Sequence, residues 1–321
     1  MSIAAIYEPV QQGMVDVEER LKAVGRADLP WMAEPMSYIL ESGGKRVRPA
    51  LTLLAGRAFH YDLNSLLPMA VAVELFHTAT LVHDDAVDES QLRRGRPTVN
   101  SLWGKSVALL VGDYLFARSA QMVCQTGNIR VMELFAQALV DISSGQLKQF
   151  MGAFDWRQSR DDYYEQIRSK TASLFALAAE SGAILGGAPE DAVGALRDYG
   201  NNLGMAFQIV DDILDFVGDE AELGKPVGSD LLQGTPTLPL ILLVERHRDD
   251  SFLKEIWERD GEQEGVRRVV GMVRDSSIVD ECYGIAAEFS DTAHRALERL
   301  PQEGSRRALC ELAHYMLERR I

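Results

Sequence analysis

Helical segments dominate the hydrophobic pattern of this chain, and most of them end at a glycine, a proline or a polar break. Strand-like alternation bounded by turn residues is missing from the sequence. We therefore expect an all-α protein. The predicted helices cover 31–40, 50–59, 69–89, 104–124, 130–151, 161–185, 190–217, 237–247, 251–259, 264–274, 277–299 and 303–320.

Glycine and proline mark the breaks between these helices. Gly43 and Gly44 end the first one, while Pro49 and Pro68 suit the opening turns of the next two. The segment 218–239 is the only long stretch of the sequence rich in glycine and proline. Because it follows directly after an acidic cluster, we expect a functional loop rather than a plain linker.

Two acidic clusters lie at the ends of apolar helical segments. They read Asp84-Asp85-Ala86-Val87-Asp88 and Asp211-Asp212-Ile213-Leu214-Asp215, so both follow the pattern D-D-x-x-D. Positions i and i+4 of a helix lie about 40° apart, so the outer aspartates of each cluster share a face. Two like charges ~4 Å apart repel by about 4 kcal/mol at an effective dielectric of ~20, so a cation is expected. Oxygen ligands favour Mg²⁺, which also binds phosphate oxygens, so the pattern predicts a polyphosphate held through magnesium.

Composition narrows the class of protein. With 321 residues and 46% hydrophobic content, the chain can bury a sizeable core, so a disordered protein is not expected. The net charge of −15 argues against nucleic-acid or anionic-membrane partners, because both need a basic surface. Three scattered cysteines, the lack of a secretory signal pattern and the lack of a ~20-residue apolar run predict a cytoplasmic protein without a transmembrane segment.

Basic residues stand where they could meet a polyphosphate. Arg93 and Arg94 follow the first cluster, and guanidinium groups match phosphate oxygens in pairs. The segment 43–49 reads GGKRVRP and precedes a helix N-terminus, which favours anions; its basic members are Lys45, Arg46 and Arg48. Taken alone, the first pair is equally compatible with a solvated salt-bridge network to Glu89, and the second segment with a solvated basic turn.

Isolated polar residues give weaker signals, because each is by itself more typical of a surface or capping position. These residues are Lys170, Thr171, Gln208 and Lys225. His77 and His83 precede the first cluster on an apolar helix, where a lone histidine is usually a satisfied core residue. Without an H-x-x-x-H pair or a cysteine partner, a zinc site is not expected.

Taken together, these motifs resemble the trans-isoprenyl diphosphate synthases. The matching segments are GGKRVRP (43–49), HTATLVHDDAVDESQLRRG (77–95), KT (170–171), QIVDDILD (208–215) and GKPVGSDLLQGTPTLP (224–239). They occur in the family's order over roughly 30–320. Within the family, the chain is most similar to the long-chain all-trans polyprenyl synthases, the octaprenyl type among them.

The resemblance implies an isoprenoid synthase fold, in which helices surround a deep central cavity within a single domain spanning 1–321, usually as a homodimer. It implies two Mg²⁺ ions on the first cluster and a third on the second, held by Asp84, Asp85, Asp88, Asp211, Asp212 and Asp215. It also implies contacts to an allylic diphosphate or its metals from Arg93, Lys170, Gln208, Asp211 and Lys225. Isopentenyl diphosphate would be bound by Lys45, Arg46, Arg48, His77 and Arg94.

The reaction expected from this resemblance begins with the departure of pyrophosphate from the allylic substrate. The double bond of isopentenyl diphosphate then attacks the allylic cation, and pyrophosphate removes the proton. Thr171 and Gln208 would stabilise the cation through their oxygen dipoles, and no covalent intermediate is required. One departure concerns Thr235, where many short-chain members have lysine, which puts one diphosphate contact in doubt.

Chain length is expected to depend on the depth of the tunnel below the first cluster. Ala79 and Thr80 are small where short-chain members often place aromatic residues, so growth past fifteen carbons is permitted. The candidates for a deeper floor are Phe76, Val123 and Phe135. By resemblance we expect farnesyl diphosphate as primer and about seven to ten isoprene units in the product, with geranylgeranyl diphosphate as the alternative.

Three other functions fit parts of the sequence. Terpene cyclases and squalene-type synthases share the fold, but they have no use for the GGKRVRP segment, and cyclases usually lack a second D-D-x-x-D. A regulatory subunit of a heteromeric synthase typically loses acidic residues, whereas this chain keeps all of them. A module that only binds divalent cations would not explain the basic segments.

Overall fold

The structure is a computed structural model that describes residues 2–26, 30–41, 43–93, 95–218, 227–247, 252–301 and 304–318. Its helices are α1 (Ile3–Ile6), α2 (Gln11–Gly25), α3 (Pro30–Leu40), α4 (Val47–Arg57), α5 (Leu63–Val87), α6 (Val99–Trp103), α7 (Lys105–Gln125), α8 (Ile129–Met151), α9 (Arg160–Ile167), α10 (Ser173–Leu185), α11 (Glu190–Val217), α12 (Ser229–Leu232), α13 (Leu238–His247), α14 (Phe252–Arg274), α15 (Ile278–Ala296) and α16 (Gly304–Leu317). Short 3₁₀ turns lie at Glu8–Val10 and Leu297–Arg299, and the wide π-helical turn Arg168–Ala172 joins α9 to α10. Among the described residues the only sheet is an antiparallel hairpin of β1 (Leu92–Arg93) and β2 (Arg96–Pro97).

The all-α prediction is confirmed, although several helices differ from the predicted ones. The N-terminal helices α1 and α2 and the short helices α6 and α12 were not predicted from the sequence. The segments 251–259 and 264–274 form the single helix α14, whereas 161–185 is divided by the π-helical turn. The ends of the predicted helices at 251, 303, 319 and 320 lie outside the described residues, as does 219–226 of the Gly/Pro-rich segment.

The start of α5 was placed too late by the sequence. The helix begins at Leu63 rather than near 69, because the Asp62 carboxylate accepts the Asn64 backbone N–H over 3.0 Å and caps the first turn. Pro68 therefore lies inside the helix. It lacks one backbone hydrogen bond there, but the surrounding packing holds it, since it is buried.

The core is organised around α5, α10 and α11. Helix α5 packs most extensively against α7, whereas α10 packs against both α4 and α11, and α11 also packs along α15. The close crossings of α10 depend on glycine: a Cβ on Gly182 would lie 2.3 Å from the Thr52 carbonyl oxygen, and one on Gly200 would lie 2.5 Å from that of Phe175. These crossings bring the acidic ends of α5 and α11 to either side of the Arg168–Ala172 turn.

Two hydrophobic clusters make up this core. The first includes α5, α7 and the first half of α11, and the second includes the last half of α11 with α13, α14 and α15. Helices α5 and α7 are long and apolar enough to cross a membrane by length and composition. Core helices of soluble proteins pass the same test, and 72% of the most apolar stretch of α5 is buried here.

Candidate active site

The first acidic cluster lies at the C-terminal end of α5. Asp88 caps the helix by donating its backbone N–H to the Asp84 carbonyl over 2.8 Å. The Asp85 carboxylate is turned inward, only 6% exposed, and accepts the Arg93 Nε at 2.9 Å on Oδ1 and 2.8 Å on Oδ2. Burial raises the pKa of Asp85, and the Arg93 guanidinium opposes that shift. Asp84 and Asp88 remain as the carboxylates that the cluster presents outward.

The second acidic cluster is held mainly by neutral donors. The Asp212 carboxylate, 3% exposed, accepts the Tyr163 hydroxyl over 2.6 Å and the Gln208 Nε2 over 2.7 Å. Burial raises its pKa well above the usual range, and the nearby Asp230 carboxylate adds to this shift. Asp211 is the member of the cluster that is exposed.

Asp215 is likewise turned into the protein. Its carboxylate is 1% exposed and accepts the Ser229 hydroxyl over 2.7 Å and the Asp230 backbone N–H over 3.1 Å. Both donors belong to the start of α12, so Asp215 fastens this part of the Gly/Pro-rich segment to α11. These two hydrogen bonds anchor the segment to Asp215.

The π-helical turn connects the two clusters. Lys170 Nζ lies 3.4 Å from the Asp84 Oδ2 of the first cluster. The next residue, Thr171, donates its hydroxyl to Gln208 Oε1 over 2.7 Å, and Gln208 in turn donates to Asp212 of the second cluster. Wide turns of this kind occur often at functional sites. The structure therefore brings Lys170, Thr171 and Gln208 together with both acidic clusters.

The donor set fits a hard cation, because the clusters offer only carboxylate oxygens. The carboxylates of Asp85, Asp212 and Asp215 accept hydrogen bonds from the protein itself, and metal binding by all six aspartates stays a prediction. The outward set is Asp84, Asp88 and Asp211, which offers oxygen donors only. Among the described residues no three His, Cys, Asp or Glu side chains converge closely enough to hold one ion by themselves. Ions bound here would therefore need further oxygen ligands, such as those of a diphosphate.

The charged residues of the basic segment 43–49 have different contacts in the structure. Arg46 has a left-handed backbone, with φ 48°, and its buried guanidinium donates to Glu18 over 2.6 Å and to Glu74 over 2.8 Å. A third donation goes to the Leu40 carbonyl over 2.8 Å. These contacts hold the Arg46 guanidinium against the scaffold, and its predicted role in binding substrate stays a prediction.

The basic neighbours of Arg46 contact aromatic side chains. Lys45 accepts the Tyr7 hydroxyl on its carbonyl over 2.8 Å, and its Nζ lies 5.0 Å from the centre of the Tyr315 ring. The Arg48 guanidinium stacks 4.5 Å over the Phe175 ring. His77 is half-buried on α5, three residues after Glu74. The Arg46–Glu74 ion pair therefore ties the basic segment to the helix that carries His77.

Aromatic rings fill the space along α5 before the first cluster. Phe76 meets Phe116 and Phe135 edge-on, with both pairs of ring centres 5.3 Å apart. Ala79 is fully buried about one helical turn after Phe76, closer to the cluster, and Val123 is buried on α7. Thr80 is partly buried and donates its hydroxyl to the His77 carbonyl. The candidate floor thus includes Phe116, which was not predicted from the sequence.

Some predicted site residues lie outside the described residues, and some contacts at the site were not predicted. Arg94 and Lys225 lie outside the described residues, so their predicted roles are not placed. The sequence also missed Tyr163 and Gln149, which contact Asp212 and Lys170 respectively. Neither Tyr163 nor Gln149 carries a local sequence signal. Phe116, by contrast, could have been found from its position seven residues, or two helical turns, before Val123. His83 is satisfied by the Leu109 carbonyl at 3.0 Å, as the sequence suggested for a core histidine.

Comparison with known proteins gives these residues a family context. The polyprenyl synthetase family model matches residues 29–273. The chain belongs to the polyprenyl synthetase family. It is 37% identical to heptaprenyl diphosphate synthase component 2 of Geobacillus stearothermophilus, with 99% of both chains covered. The relatives named as prenyl diphosphate synthases are enzymes, and this chain is an enzyme of the same family.

Solved structures of polyprenyl synthetases share the fold. A decaprenyl diphosphate synthase from Rhodobacter capsulatus superposes with a TM-score of 0.91 at 41% identity, and 99% of each chain is covered. A polyprenyl synthase from Caulobacter crescentus, complexed with calcium and isoprenyl diphosphate, superposes with a TM-score of 0.94 at 37% identity, covering 100% of this chain and 98% of that one. The predicted isoprenoid synthase fold is confirmed.

Proposed function

We propose that this polyprenyl synthetase is a magnesium-dependent prenyltransferase that extends an allylic diphosphate, farnesyl diphosphate by expectation, with successive molecules of isopentenyl diphosphate. The observation that carries the proposal is the bridge of Lys170, Thr171 and Gln208 between two acidic clusters. The names of the hepta- and decaprenyl synthases that it resembles support an all-trans product of about seven to ten isoprene units.

Magnesium would be held by the outward carboxylates Asp84, Asp88 and Asp211 and, by resemblance to the family, also by Asp85, Asp212 and Asp215, with three ions expected per site. When bound, these ions neutralise the diphosphate and make it a better leaving group. The calcium and isoprenyl diphosphate bound by the Caulobacter relative support this assignment. Asp85, Asp212 and Asp215 keep the outward carboxylates in place through their own hydrogen bonds.

Polar residues of the chain would bind the diphosphate and stabilise the allylic cation. Lys170 supplies an ammonium group beside Asp84, where it can donate to a departing diphosphate. Arg93 is 40% exposed while it holds Asp85, so part of its guanidinium can reach the same anion. The oxygens of Thr171 and Gln208, 2.7 Å apart, present lone pairs toward a developing allylic cation.

The second substrate would lie against the segment 43–49. Lys45 and Arg48 offer cationic donors on one side, and His77 offers a ring nitrogen from α5. We assign Arg94 to the same group by resemblance alone. Pyrophosphate leaving the allylic site is the base for the final proton, since a nucleophile–base pair is not required by this chemistry.

Product length would be limited by the rings of Phe76, Phe116 and Phe135. We expect Ala79→Phe to shorten the product, because a ring at this fully buried position blocks the path toward those rings. Phe116→Ala should lengthen it by removing part of the floor. Mass spectrometry of the products measures both, and unchanged lengths in both variants would contradict the tunnel assignment.

We also propose that the protein forms a homodimer through α7 and α8. Apolar residues stay exposed there on one side of each helix: Leu110 is 61% exposed, Val140 57% and Leu147 65%. On α8, Val140 and Leu147 lie seven residues apart, the spacing of a seam between two packed helices. A second copy of this chain offers the same apolar stripe, so the contact can be symmetric.

Light scattering tests the dimer. Leu147→Glu should give a monomer, whereas Lys22→Glu on the remote helix α2 should leave the dimer intact. A wild-type monomer that gains activity only with another chain would contradict the homodimer and favour a heteromeric synthase, in line with the name "component 2" of the Geobacillus relative. We further propose a cytoplasmic location and a single domain over 1–321, which fractionation and one cooperative unfolding transition would support.

Incubation of the purified protein with Mg²⁺, farnesyl diphosphate and labelled isopentenyl diphosphate tests the function. A ladder ending at about seven to ten units is the expected result. A twenty-carbon product would favour geranylgeranyl diphosphate synthesis, and a hydrocarbon would favour a cyclase. No product under any primer would support a regulatory subunit and overturn the proposal.

A further inference from the structure

Gln149 on α8 makes a pair of contacts that connect the two sides of the site. Its Oε1 accepts the Lys170 ammonium over 2.9 Å, and its Nε2 donates to the Thr235 hydroxyl over 3.2 Å. The side chain is half-buried between exposed neighbours on α8, so it points inward while the helix surface faces outward. Gln149 thus contacts a diphosphate-binding candidate without belonging to either acidic cluster.

The orientation of this amide is fixed by the chemistry of its partners. An ammonium can only donate hydrogen bonds, so the Gln149 oxygen must face Lys170 and its NH₂ must face Thr235. Thr235 is held in turn, because its backbone N–H donates to the Asp230 carbonyl over 2.8 Å. The Asp230 N–H donates to Asp215 Oδ2, which completes a connection from Lys170 to the second acidic cluster.

Lys170 divides its donors between a neutral and a charged acceptor. Its Nζ lies 2.9 Å from Gln149 Oε1 but 3.4 Å from Asp84 Oδ2. A lysine side chain has a flexible stem and a compact charge, so it moves toward the strongest acceptor left to it. Without Gln149, the ammonium would close onto Asp84 and occupy a carboxylate that the proposed metal site needs.

We propose that Gln149 is a positioning residue that keeps Lys170 off Asp84, so that Asp84 can accept a cation and Lys170 can donate to the diphosphate. Thr235 orients the amide for this role, in place of the lysine that many short-chain relatives carry. The inference rests on the proposed function, since it assigns both groups to one magnesium–diphosphate site.

Calorimetric titration with Mg²⁺ and inorganic pyrophosphate tests the inference without turnover. We expect Gln149→Leu to weaken binding by about tenfold, the loss that corresponds to one hydrogen bond to a charged group. The Mg²⁺ concentration for half-maximal activity should rise in parallel, with KM for isopentenyl diphosphate unchanged. Gln149→Glu keeps the acceptor and should bind more tightly than Gln149→Leu.

Gln137→Leu is the matched control. It makes the same exchange on the same helix, where the exposed Gln137 donates its Nε2 to Asp141 Oδ1 over 2.8 Å, and it should bind like wild type. Thr235→Val removes only the orienting contact and should weaken binding by roughly threefold, which keeps the test open if Gln149→Leu does not fold. Wild-type binding by both Gln149→Leu and Thr235→Val would overturn the inference. Failure of the wild-type protein to elongate, with these binding differences intact, would overturn the proposed function alone.

Discussion

The acidic clusters at the ends of α5 and α11 are surrounded by different kinds of donor. In the first, the inner carboxylate of Asp85 is paired with a cation, Arg93. In the second, Asp212 is held by a hydroxyl and an amide, and Asp215 by a hydroxyl and a backbone N–H. The same D-D-x-x-D pattern therefore has an ion pair on one side of the site and neutral hydrogen bonds on the other.

This difference affects the charge that each cluster keeps. A guanidinium offsets the charge of its carboxylate, whereas a hydroxyl or an amide fixes the geometry without supplying a positive charge. The second cluster is the more buried of the two, and burial raises the pKa of Asp212, which opposes a negative charge there. A bound cation would offset this cost, so the second cluster should depend more on bound cations than the first.

The largest effect is expected at the outward carboxylates. Asp84→Asn and Asp211→Asn each remove a proposed metal ligand, so kcat/KM should fall on the order of 10²–10³-fold, as for other groups that stabilise the transition-state charge. The melting temperature of the metal-free protein should change little, because neither variant empties the core. Undiminished turnover in either variant would contradict the proposed metal site.

The ion pair of the first cluster is the next test. Arg93→Ala leaves Asp85 buried without its cation, which should destabilise the protein by about 2 kcal/mol, less than a fully buried pair because Arg93 is 40% exposed. Adding Asp85→Asn to this variant removes the stranded charge and should recover part of the stability. Urea denaturation of the two single variants and the double variant gives the coupling, and a purely additive result would contradict the pairing.

How far the sequence could predict this molecule depends on the distance between partners along the chain. The helix 190–217 was predicted with the bounds found in the structure, because its pattern and its breaks are local. The ion pairs of Arg46 were not predictable, since its partners Glu18 and Glu74 each lie 28 residues away and nothing in the GGKRVRP segment reveals them. A basic residue in a motif is indistinguishable from its neighbours until the scaffold acids are placed.

The acidic clusters show the same limit. Their spacing on a helix was predictable, but which aspartate turns inward was not. Asp212 is buried because Tyr163, 49 residues earlier in the chain, reaches it from α9. The start of α5 was predicted wrongly for a different reason. Pro68 was taken to mark the start of the helix, although Asp62, six residues earlier, caps it.

The hydroxyl on Asp212 provides a smaller test of the second cluster. Tyr163→Phe leaves a buried carboxylate oxygen without its donor, so the free energy of unfolding should fall by about 1–3 kcal/mol. Asp212→Asn should cost a similar amount, and the double variant less than the sum, because the two residues share one contact. Thermal unfolding measures these differences, and full additivity would show that the contact contributes nothing.

The smallest effect is expected at Ser229. Its hydroxyl is one of two donors to Asp215, and the Asp230 backbone N–H remains when Ser229→Ala removes it. We therefore expect a loss of about 0.5–1.5 kcal/mol in the free energy of unfolding. If neutral donors only shape the second cluster, added Mg²⁺ and pyrophosphate should restore most of this loss, since ligands that bind the folded state stabilise it. The matched Arg93→Ala variant should recover less, because there the missing group is itself a cation that the bound diphosphate would contact.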